Sequence, residues 1–372
     1  MVKIIEETKF FRDNNIAKLI EKHARSVSFY DLGWGNPNPE MIKYKIPKIS
    51  YNKNDLSIYW NSRGLDGLID QILGFIKNKS GISFTRKNIL ITNGSTNSIF
   101  LLSYFFKNFI KINTVLLQNP TYDTAINIFK SQKFLMKATD PDIRYIRSNK
   151  IKLCYLIFKL QNPTGLSVPG NQEIEIKKRL LKTSYLIEDD AYSLFEDRNN
   201  INLVKNKRYI YVGSFSKYIF PGIRMGYVIA DKGVIDKLAL IQKYYNSYPN
   251  ILSQLTLLYY LRTGKLEKEI NYKIKIIREK RKLFEHLLSF KVRKLIKIPK
   301  SGFYYWLKLP ENMDSNKVFI ALLKKRVFVI PGDIYFFSKQ YNAIRMSISR
   351  INKSEIRKAV RILNDFFDKY ES

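Results

Sequence analysis

Lys217 lies in a segment whose residue types could make its amine reactive, GSFSKYIFPGIRMGY at residues 213–227. A lysine forms an imine near neutral pH only when burial or neighbouring cations keep part of its amine uncharged. Ser214 and Ser216 come just before it, and Arg224 follows a Pro-Gly turn. Two hydroxyls and a guanidinium could hold a phosphate together. Taken alone, the segment favours a reactive lysine and an exposed loop lysine equally.

Two acids and a tyrosine end another apolar run, SYLIEDDAYSLF, which contains Asp189, Asp190 and Tyr192. An ionised carboxylate with a phenol nearby fits a ligand that carries a protonated ring nitrogen. The alternative is an acid that caps a helix, followed by a tyrosine of the core. The segment alone does not separate these two interpretations.

Two further junctions between a strand and a turn could place polar groups at the same edge of a sheet. Asn162 ends the run KLCYLIFKLQN and precedes Pro-Thr-Gly, so its amide could point out over that edge. In ITNGSTNSIF the chain passes through Ser95 and Thr96 into a helix, and free N–H groups at a helix N-terminus bind phosphate. Each junction is an ordinary turn by itself.

The segments that carry these residues are predicted to be strands of one sheet. Continuous apolar runs between helical patterns are typical of a mostly parallel sheet covered on both faces. Ligands of such sheets bind at the carboxyl ends of the strands. The predicted strands are NILITNG, TVLLQNP, KLCYLIFKLQNP, SYLIEDDAY, YIYVGSFSK and MGYVIA.

The pattern along the chain predicts three parts. Residues 1–45 are expected to form a helix and the loop DLGWGNPNP, belonging to the small domain and covering the site. Residues 46–262 form the large domain, and residues 263–372 form a smaller α+β domain. The small domain begins with a basic helix at 263–295, whose lysines are expected to be solvated. It continues with strands in SGFYYWLKL, KKRVFVIPG and AIRMSISR and ends with the helix SEIRKAVRILNDFFDKY.

The composition shows that the high positive charge does not by itself indicate a nucleic-acid-binding protein. The 372 residues include 65 Lys and Arg against 32 Asp and Glu, which gives a net charge of +33. The lysines are spread along the chain among Asn, Ile and Tyr, so a compositional bias explains the charge better than a dedicated nucleic-acid partner. No apolar run is long enough to span a bilayer, and the first residues are a poor secretion signal.

The cysteine and histidine content argues against a disulfide and a metal site. The single cysteine, Cys154, lies in an apolar run and is expected to be a buried thiol in a cytoplasmic protein. His23 and His286 have no partners at the spacing of metal ligands, so no metal is predicted.

Taken together, the motifs resemble those of a known family. GST, PTY, NPTG, DDAY, SFSK and PGIR occur in the order found in fold-type I pyridoxal-phosphate enzymes of the class I/II aminotransferases. The motif residues are most similar to those of the aminoadipate and kynurenine aminotransferase branch. The resemblance extends from GWGNPNPE to IRMSIS. The resemblance implies an α/β fold with a mostly parallel sheet sandwiched by helices, a smaller α+β domain, pyridoxal 5'-phosphate and a homodimer with shared active sites.

The resemblance also implies a role for each matched residue. Lys217 would form the Schiff base and move the proton, and Asp189, by its spacing to Tyr192, would hold the proton of the pyridine nitrogen. Tyr122 would stack on the ring. The other residues that would bind the cofactor are Asn162 and Tyr192 at the phenolic oxygen, Ser95, Thr96, Ser214, Ser216 and Arg224 at the phosphate, and Tyr59 at the phosphate of the neighbouring subunit.

For the substrate, the resemblance implies that Arg345 binds the α-carboxylate, close to Asn162. Other residues are expected to line the pocket for the substrate side chain, and they are Arg25, Trp34, Gly35, Phe220 and Tyr335. Their aromatic character favours aromatic or long aliphatic amino acids, and Arg25 could pair with a distal carboxylate.

Three alternatives to transamination remain open from the sequence. The same lysine, aspartate and arginine serve other reactions of the cofactor on free amino acids, by a decarboxylase, a lyase or an oxygen-dependent oxidase or hydroxylase. A regulatory module could bind the cofactor as a sensor, although only about thirty residues precede GWGNP. A protein that binds nucleic acid without catalysis would show affinity that falls steeply with salt.

Overall fold

A computed structural model describes residues 29–44, 53–146, 151–196 and 200–369 of the chain. The predicted N-terminal helix and Arg25 lie outside these residues. The strands are β1 Tyr30–Asp31, β2 Ile89–Thr92, β3 Thr114–Gln118, β4 Leu135–Thr139, β5 Leu153–Leu156, β6 Tyr185–Asp190, β7 Tyr209–Ser214, β8 Gly226–Ile229, β9 Tyr304–Lys308, β10 Val327–Phe328, β11 Ile330–Pro331 and β12 Ala343–Ser347.

The α-helices of the described residues alternate with these strands in the first two thirds of the chain. They are α1 Lys53–Leu56, α2 Asp66–Ser80, α3 Ser95–Asn108, α4 Asp123–Ser131, α5 Gly170–Leu180, α6 Lys232–Asn246, α7 Ile251–Arg262, α8 Lys265–Leu287, α9 Phe290–Leu295, α10 Ser315–Lys324 and α11 Lys353–Asp368. Short 3-10 turns include Ser193–Phe195 after β6 and Pro221–Ile223 before β8.

The large sheet has seven strands in the order β2-β8-β7-β6-β5-β3-β4. Strand β8 runs antiparallel to β2 and to β7, and the other neighbouring pairs are parallel. All six strands predicted from apolar runs are present, and the prediction of a mostly parallel sheet is confirmed. Strand β4 was missed because it lies at the edge, where its side chains are mostly exposed and its sequence LMKAT carries no buried-strand signal.

Two apolar layers cover the faces of this sheet. One layer packs α3 and α6 against the sheet through residues such as Leu102, Phe106 and Leu238. The other layer joins α2 and α7 to α8 and to the smaller sheet. Since side chains alternate along a strand, neighbours on β6 face different layers. Leu186 belongs to the second layer and Ile187 to the first, so Asp189 lies on the face of Ile187.

The last third of the chain forms a second sheet, of the antiparallel order β11-β12-β9. Arg345 of β12 lies opposite Ile330 of β11 and Trp306 of β9. Strand β1 pairs in parallel with β10, which attaches residues 29–44 to this part of the chain. The predicted strands and the C-terminal helix are therefore present, while the domain boundaries at 45/46 and 262/263 stay a prediction.

The basic helix predicted over 263–295 differs from the structure in two ways. It is divided into α8 and α9, because Ser289 caps the second helix by accepting from the Val292 amide. Its lysines are also not all solvated. Lys273 is fully buried with its Nζ 2.7 Å from Glu269, and Lys280 is buried with its Nζ 3.4 Å from the Ser349 carbonyl. Pairing with a carboxylate four residues away makes the burial of Lys273 tolerable.

Cys154 is fully buried on β5, and burial raises the pKa of its thiol to about 12. A thiol with so high a pKa is a poor nucleophile at neutral pH. This agrees with the expected structural role.

Candidate active site

A cavity of about 510 Å³ lies at the carboxyl ends of β5, β6 and β7, the edge at which chemistry was expected. It is also lined by β11 and β12 residues of the smaller sheet. The predicted site residues that line it are Trp34, Gly35, Ser95, Thr96, Tyr122, Asn162, Asp189, Tyr192, Ser214, Ser216, Lys217, Arg224, Tyr335 and Arg345. Segments more than 300 residues apart thus meet in one cleft.

Two predicted residues lie elsewhere in the described chain. Tyr59 is 89% exposed on the surface, with its ring edge-on to Tyr248 at a centroid distance of 6.2 Å. Phe220 packs against the apolar layer shared by the two sheets and is not among the residues that line the cavity. Phe220 precedes the turn that carries Arg224, and its place in the substrate pocket stays a prediction.

Lys217 follows β7 and is part-buried in the cavity, where its Nζ donates to the Gly35 carbonyl at 3.1 Å. Burial, and then the nearby Arg345 and Arg224, lower the pKa of the amine to about 8. About a tenth of the amine is then neutral at pH 7, against less than about a thousandth at the ordinary lysine pKa. The neutral amine is the form that attacks a carbonyl carbon.

Asp189 presents one carboxylate oxygen to the cavity. Its Oδ2 accepts a hydrogen bond from the Tyr155 hydroxyl at 2.5 Å, whereas its Oδ1 has no partner among the described residues. Burial raises the pKa of this carboxyl to about 7. A buried carboxylate oxygen without a partner is costly, so the site suits a ligand that brings a proton donor to it.

The neighbouring acid, Asp190, is used within the fold. Its carboxylate accepts from the Tyr211 hydroxyl at 2.8 Å and from the backbone amides of Tyr192 and Ser193. It lies on the opposite face of β6 because side chains alternate. Asp189, the acid that the spacing to Tyr192 suggested, is therefore the one of the two that lines the cavity.

The N-terminus of α3 forms the other end of the cavity. Gly94 precedes the helix with φ 86°, and an added Cβ there would lie 2.9 Å from the Arg224 guanidinium. The free amides of the first turn and Arg224 are therefore close together. The hydroxyl of Ser216 is buried and has no partner within the described residues. These donors fit a phosphate group.

Arg345 is buried on the opposite wall. Its two terminal nitrogens donate to the Asn162 side-chain oxygen and to the Gly33 carbonyl, each at 2.9 Å. The guanidinium lies 4.7 Å from the centre of the Tyr304 ring and 5.0 Å from that of Tyr335. Its Nε is buried without a partner in the described part of the chain and suits a carboxylate.

A family model described as aminotransferase class I and II matches residues 26–363. The chain belongs to this family. This confirms four predictions: the fold type, pyridoxal phosphate as cofactor, an enzyme, and the transfer of an amino group between amino acid and 2-oxo acid.

Relatives of this aminotransferase family member include proteins of two kinds. A 2-aminoadipate transaminase of Thermus thermophilus is 29% identical over 74% of each chain. The HTH-type transcriptional regulator NorG of Staphylococcus aureus is 28% identical over 94% of this chain and 83% of its own. In structure, the kynurenine aminotransferase of Pyrococcus horikoshii superposes with a TM-score of 0.84 at 21% identity, covering 96% and 95% of the two chains. The match to the 2-aminoadipate transaminase agrees with the predicted branch of the family, and the structural likeness shows the same fold.

The residues of the cavity fit pyridoxal phosphate. The unpartnered Oδ1 of Asp189 suits its ring nitrogen, the amides of α3 with Arg224 and Ser216 suit its phosphate, and the amine of Lys217 suits its aldehyde.

The described residues contain no group of three or more potential metal ligands, and none of their helices has the length and apolar character needed to cross a membrane.

Sequence reasoning missed several residues of this aminotransferase site. Tyr155 was predicted only as part of an apolar strand. Because side chains alternate along a strand, comparison with the neighbours of Asp189 could have placed both residues on the same face of the sheet. Tyr304 was hidden in the aromatic run SGFYYWLKL, where only its pairing with β12 decides which tyrosine faces the cavity. The other missed residues that line the cavity are Asn36, Asp123, Thr124, Ile157, Ala191, Ile330 and Ile334.

Proposed function

We propose that this aminotransferase works through Lys217, whose amine would bond to the aldehyde carbon of pyridoxal phosphate with loss of water. Once the amino group of the substrate has displaced it, the amine would move the proton between amino acid and cofactor. The observation that carries this assignment is an amine with a pKa lowered to about 8 in the same cavity as Asp189, Arg224 and Arg345. Turnover of a panel of amino acids with a 2-oxo acid tests it. The reaction is excluded if no pair of substrates exchanges an amino group.

Each side chain then has a physical task. Pyridoxal phosphate, when bound, supplies an electron sink for the bond broken at the substrate's Cα. Asp189 would keep the proton on the ring nitrogen, and Arg345 would hold the α-carboxylate so that the Cα–H bond faces Lys217. After displacement by the substrate's amino group, the free Nζ of Lys217 would take the proton from Cα and deliver it to the carbon that carried the aldehyde oxygen.

The part of the wall near Arg345 supports an apolar side chain in the substrate. It carries Trp34, Ile330, Ile334 and Tyr335, which together form an aromatic and aliphatic surface. We therefore expect aromatic or long aliphatic amino acids to react. The pairing of Arg25 with a distal carboxylate stays a prediction, since Arg25 lies outside the described residues.

Replacing Arg345 by alanine is expected to raise KM for the amino acid by about 100-fold and to change kcat much less. The reason is the loss of two charge-assisted hydrogen bonds, each contributing about 1.5–3 kcal/mol before partial compensation by water. Steady-state kinetics measure this. The matched control is Arg361→Ala, an exposed arginine of α11. An unchanged KM in the Arg345 variant would contradict the assignment.

A homodimer is the second part of the proposal. Around Tyr59 the described chain exposes a tyrosine patch, which we define as Leu56, Ile58, Tyr59, Tyr244 and Tyr245. Large apolar side chains exposed on one surface mark interaction sites. The contact of Tyr59 with Tyr248, near the end of α6, links the two halves of the patch. A second copy of the chain would cover the patch and bring Tyr59 to the phosphate of its partner.

Charging the tyrosine patch is expected to break the dimer. Tyr244→Glu with Tyr245→Glu buries two carboxylates in the proposed interface, so sedimentation velocity should show one chain in place of two, with turnover lost. Phe290→Glu is the control, because Phe290 is an equally exposed aromatic outside the patch. A wild-type protein that sediments as one chain at full activity would refute the proposed dimer.

The family match favours transamination over the regulatory alternative, cofactor binding without turnover, which one kind of relative supports. A transcriptional regulator matches 94% of this chain. The same substrate panel separates the two, because a sensor would bind the cofactor and an amino acid without releasing a 2-oxo acid. Other reactions of the cofactor would release carbon dioxide or consume oxygen.

A cytoplasmic location and the absence of a nucleic-acid or membrane partner stay predictions.

A further inference from the structure

Tyr304 touches Arg345, to which the proposed function gives the substrate carboxylate, and Tyr192, which the family resemblance assigns to the phenolic oxygen of the cofactor. Its ring lies 4.7 Å from the Arg345 guanidinium, and its hydroxyl lies 3.1 Å from the Tyr192 hydroxyl. The rings of Tyr192 and Tyr304 meet edge to face with centroids 5.5 Å apart. Both side chains line the cavity and are buried. One residue therefore connects the carboxylate end of the cavity with the cofactor end.

The number of available protons decides which of the two hydroxyls donates the hydrogen bond. A tyrosine hydroxyl has one proton to donate. If Tyr192 gives that proton to the phenolic oxygen of the cofactor, its own oxygen must accept the proton of Tyr304. Burial raises the pKa of the Tyr304 hydroxyl, and the positive charge of Arg345 beside the ring opposes that rise. Arg345 thus makes Tyr304 a better donor.

The position of the Tyr304 hydroxyl is fixed by its surroundings. Tyr304 lies on β9, directly opposite Ser347 of β12, so its backbone is held by the sheet. Gly35 packs on the hydroxyl so closely that an added Cβ would overlap it. The carbonyl of Gly35 accepts from Lys217. The hydroxyl has little freedom to move away from Tyr192.

We propose that Tyr304 is a positioning residue that donates to Tyr192 through its hydroxyl and supports Arg345 through its ring. This inference rests on the proposed function. A donor chain of two tyrosines polarises the hydroxyl of Tyr192. It strengthens the hydrogen bond to the phenolic oxygen and draws negative charge away from it. Because that negative charge would retain the proton on the nitrogen joining Lys217 to the cofactor, the donor chain lowers the pKa of that nitrogen.

The two tasks separate in two variants. Tyr304→Phe keeps the ring and removes the hydroxyl. The pH midpoint of the absorbance change of the lysine-bound cofactor, measured without substrate, should rise by about half a pH unit. The Kd of 3-phenylpropanoate, a carboxylate without an amino group, should stay within about twofold. Tyr304→Leu removes the ring as well, so that Kd should rise by about fivefold or more.

Two controls make the result decisive. Tyr335→Phe removes a hydroxyl from the other tyrosine beside Arg345 and should leave the pH midpoint unchanged. Tyr192→Phe should raise the midpoint further than Tyr304→Phe does. A midpoint unmoved in Tyr304→Phe but raised in Tyr192→Phe would overturn the link and leave the proposed function intact. Wild-type protein that shows no lysine-bound cofactor would overturn the proposed function itself.

Discussion

Turnover should fall by at least about 10⁴-fold when Lys217 is replaced by alanine. The variant loses the group that moves the proton, which alone contributes about 10²–10⁴-fold, and it also loses the bond to the cofactor. The measurement is steady-state release of the 2-oxo acid, together with borohydride reduction of the holoenzyme. Reduction should fix the cofactor to the peptide containing Lys217 in the wild type and leave the variant unlabelled.

A second buried lysine provides a matched control for this result. Lys280 is buried on α8, and burial lowers the pKa of its amine to about 8, as for Lys217. It lies against the Ser349 carbonyl and does not line the cavity. Lys280→Met should therefore retain turnover within a few-fold and retain the label. If reduction fixed the cofactor to Lys280, the lowered pKa of the amine, and not its position in the cavity, would decide which lysine bonds to the cofactor.

The second large effect is expected at Asp189. Asp189→Asn keeps the shape and the hydrogen bond from Tyr155 but loses the negative charge that holds the proton of the ring nitrogen. Removing one such electrostatic contact costs about 2.7–4 kcal/mol, or about 10²–10³-fold in kcat. KM should change much less, because the carboxylate of the substrate still meets Arg345. Steady-state kinetics of the reconstituted enzyme measure both quantities.

Asp190 is the natural control for Asp189. Its carboxylate accepts from Tyr211 and from two backbone amides, so Asp190→Asn should lower the free energy of unfolding by about 1–3 kcal/mol. Its kcat at a temperature where it is folded should stay within a few-fold of the wild type. An equal loss of kcat in both variants would show that the charge at the end of β6, and not the contact made by Asp189, matters.

Much of the fold follows from local patterns in the sequence. The six apolar runs became six strands because each is buried on both faces, a condition that leaves a continuous apolar signature. Polar residues at their carboxyl ends, such as Asn162 and Asp189, had to meet at one edge of the sheet. Strand β4 escaped because an exposed edge strand has no such signature.

The remaining parts of the site depend on pairings between distant segments, which no local pattern contains. Tyr304 enters the cavity because β9 pairs with β12 in one register, and a shift of one residue would send Tyr305 there instead. Arg345 reaches Asn162 and Gly33 through the packing of two sheets. The burial of Lys273 and Lys280 likewise depends on what covers α8. Composition suggested solvated lysines at both positions.

A single half-reaction of the holoenzyme under anaerobic conditions tests whether Lys217 carries out transamination. The substrate is an aromatic or long aliphatic amino acid, with no 2-oxo acid added. We expect one equivalent of 2-oxo acid per occupied site, loss of the absorbance of the lysine-bound cofactor, and recovery of that absorbance when a 2-oxo acid is supplied. The Lys217→Ala variant should show none of these changes at a measurable rate. Release of carbon dioxide, a requirement for oxygen, or binding without any 2-oxo acid would contradict the account.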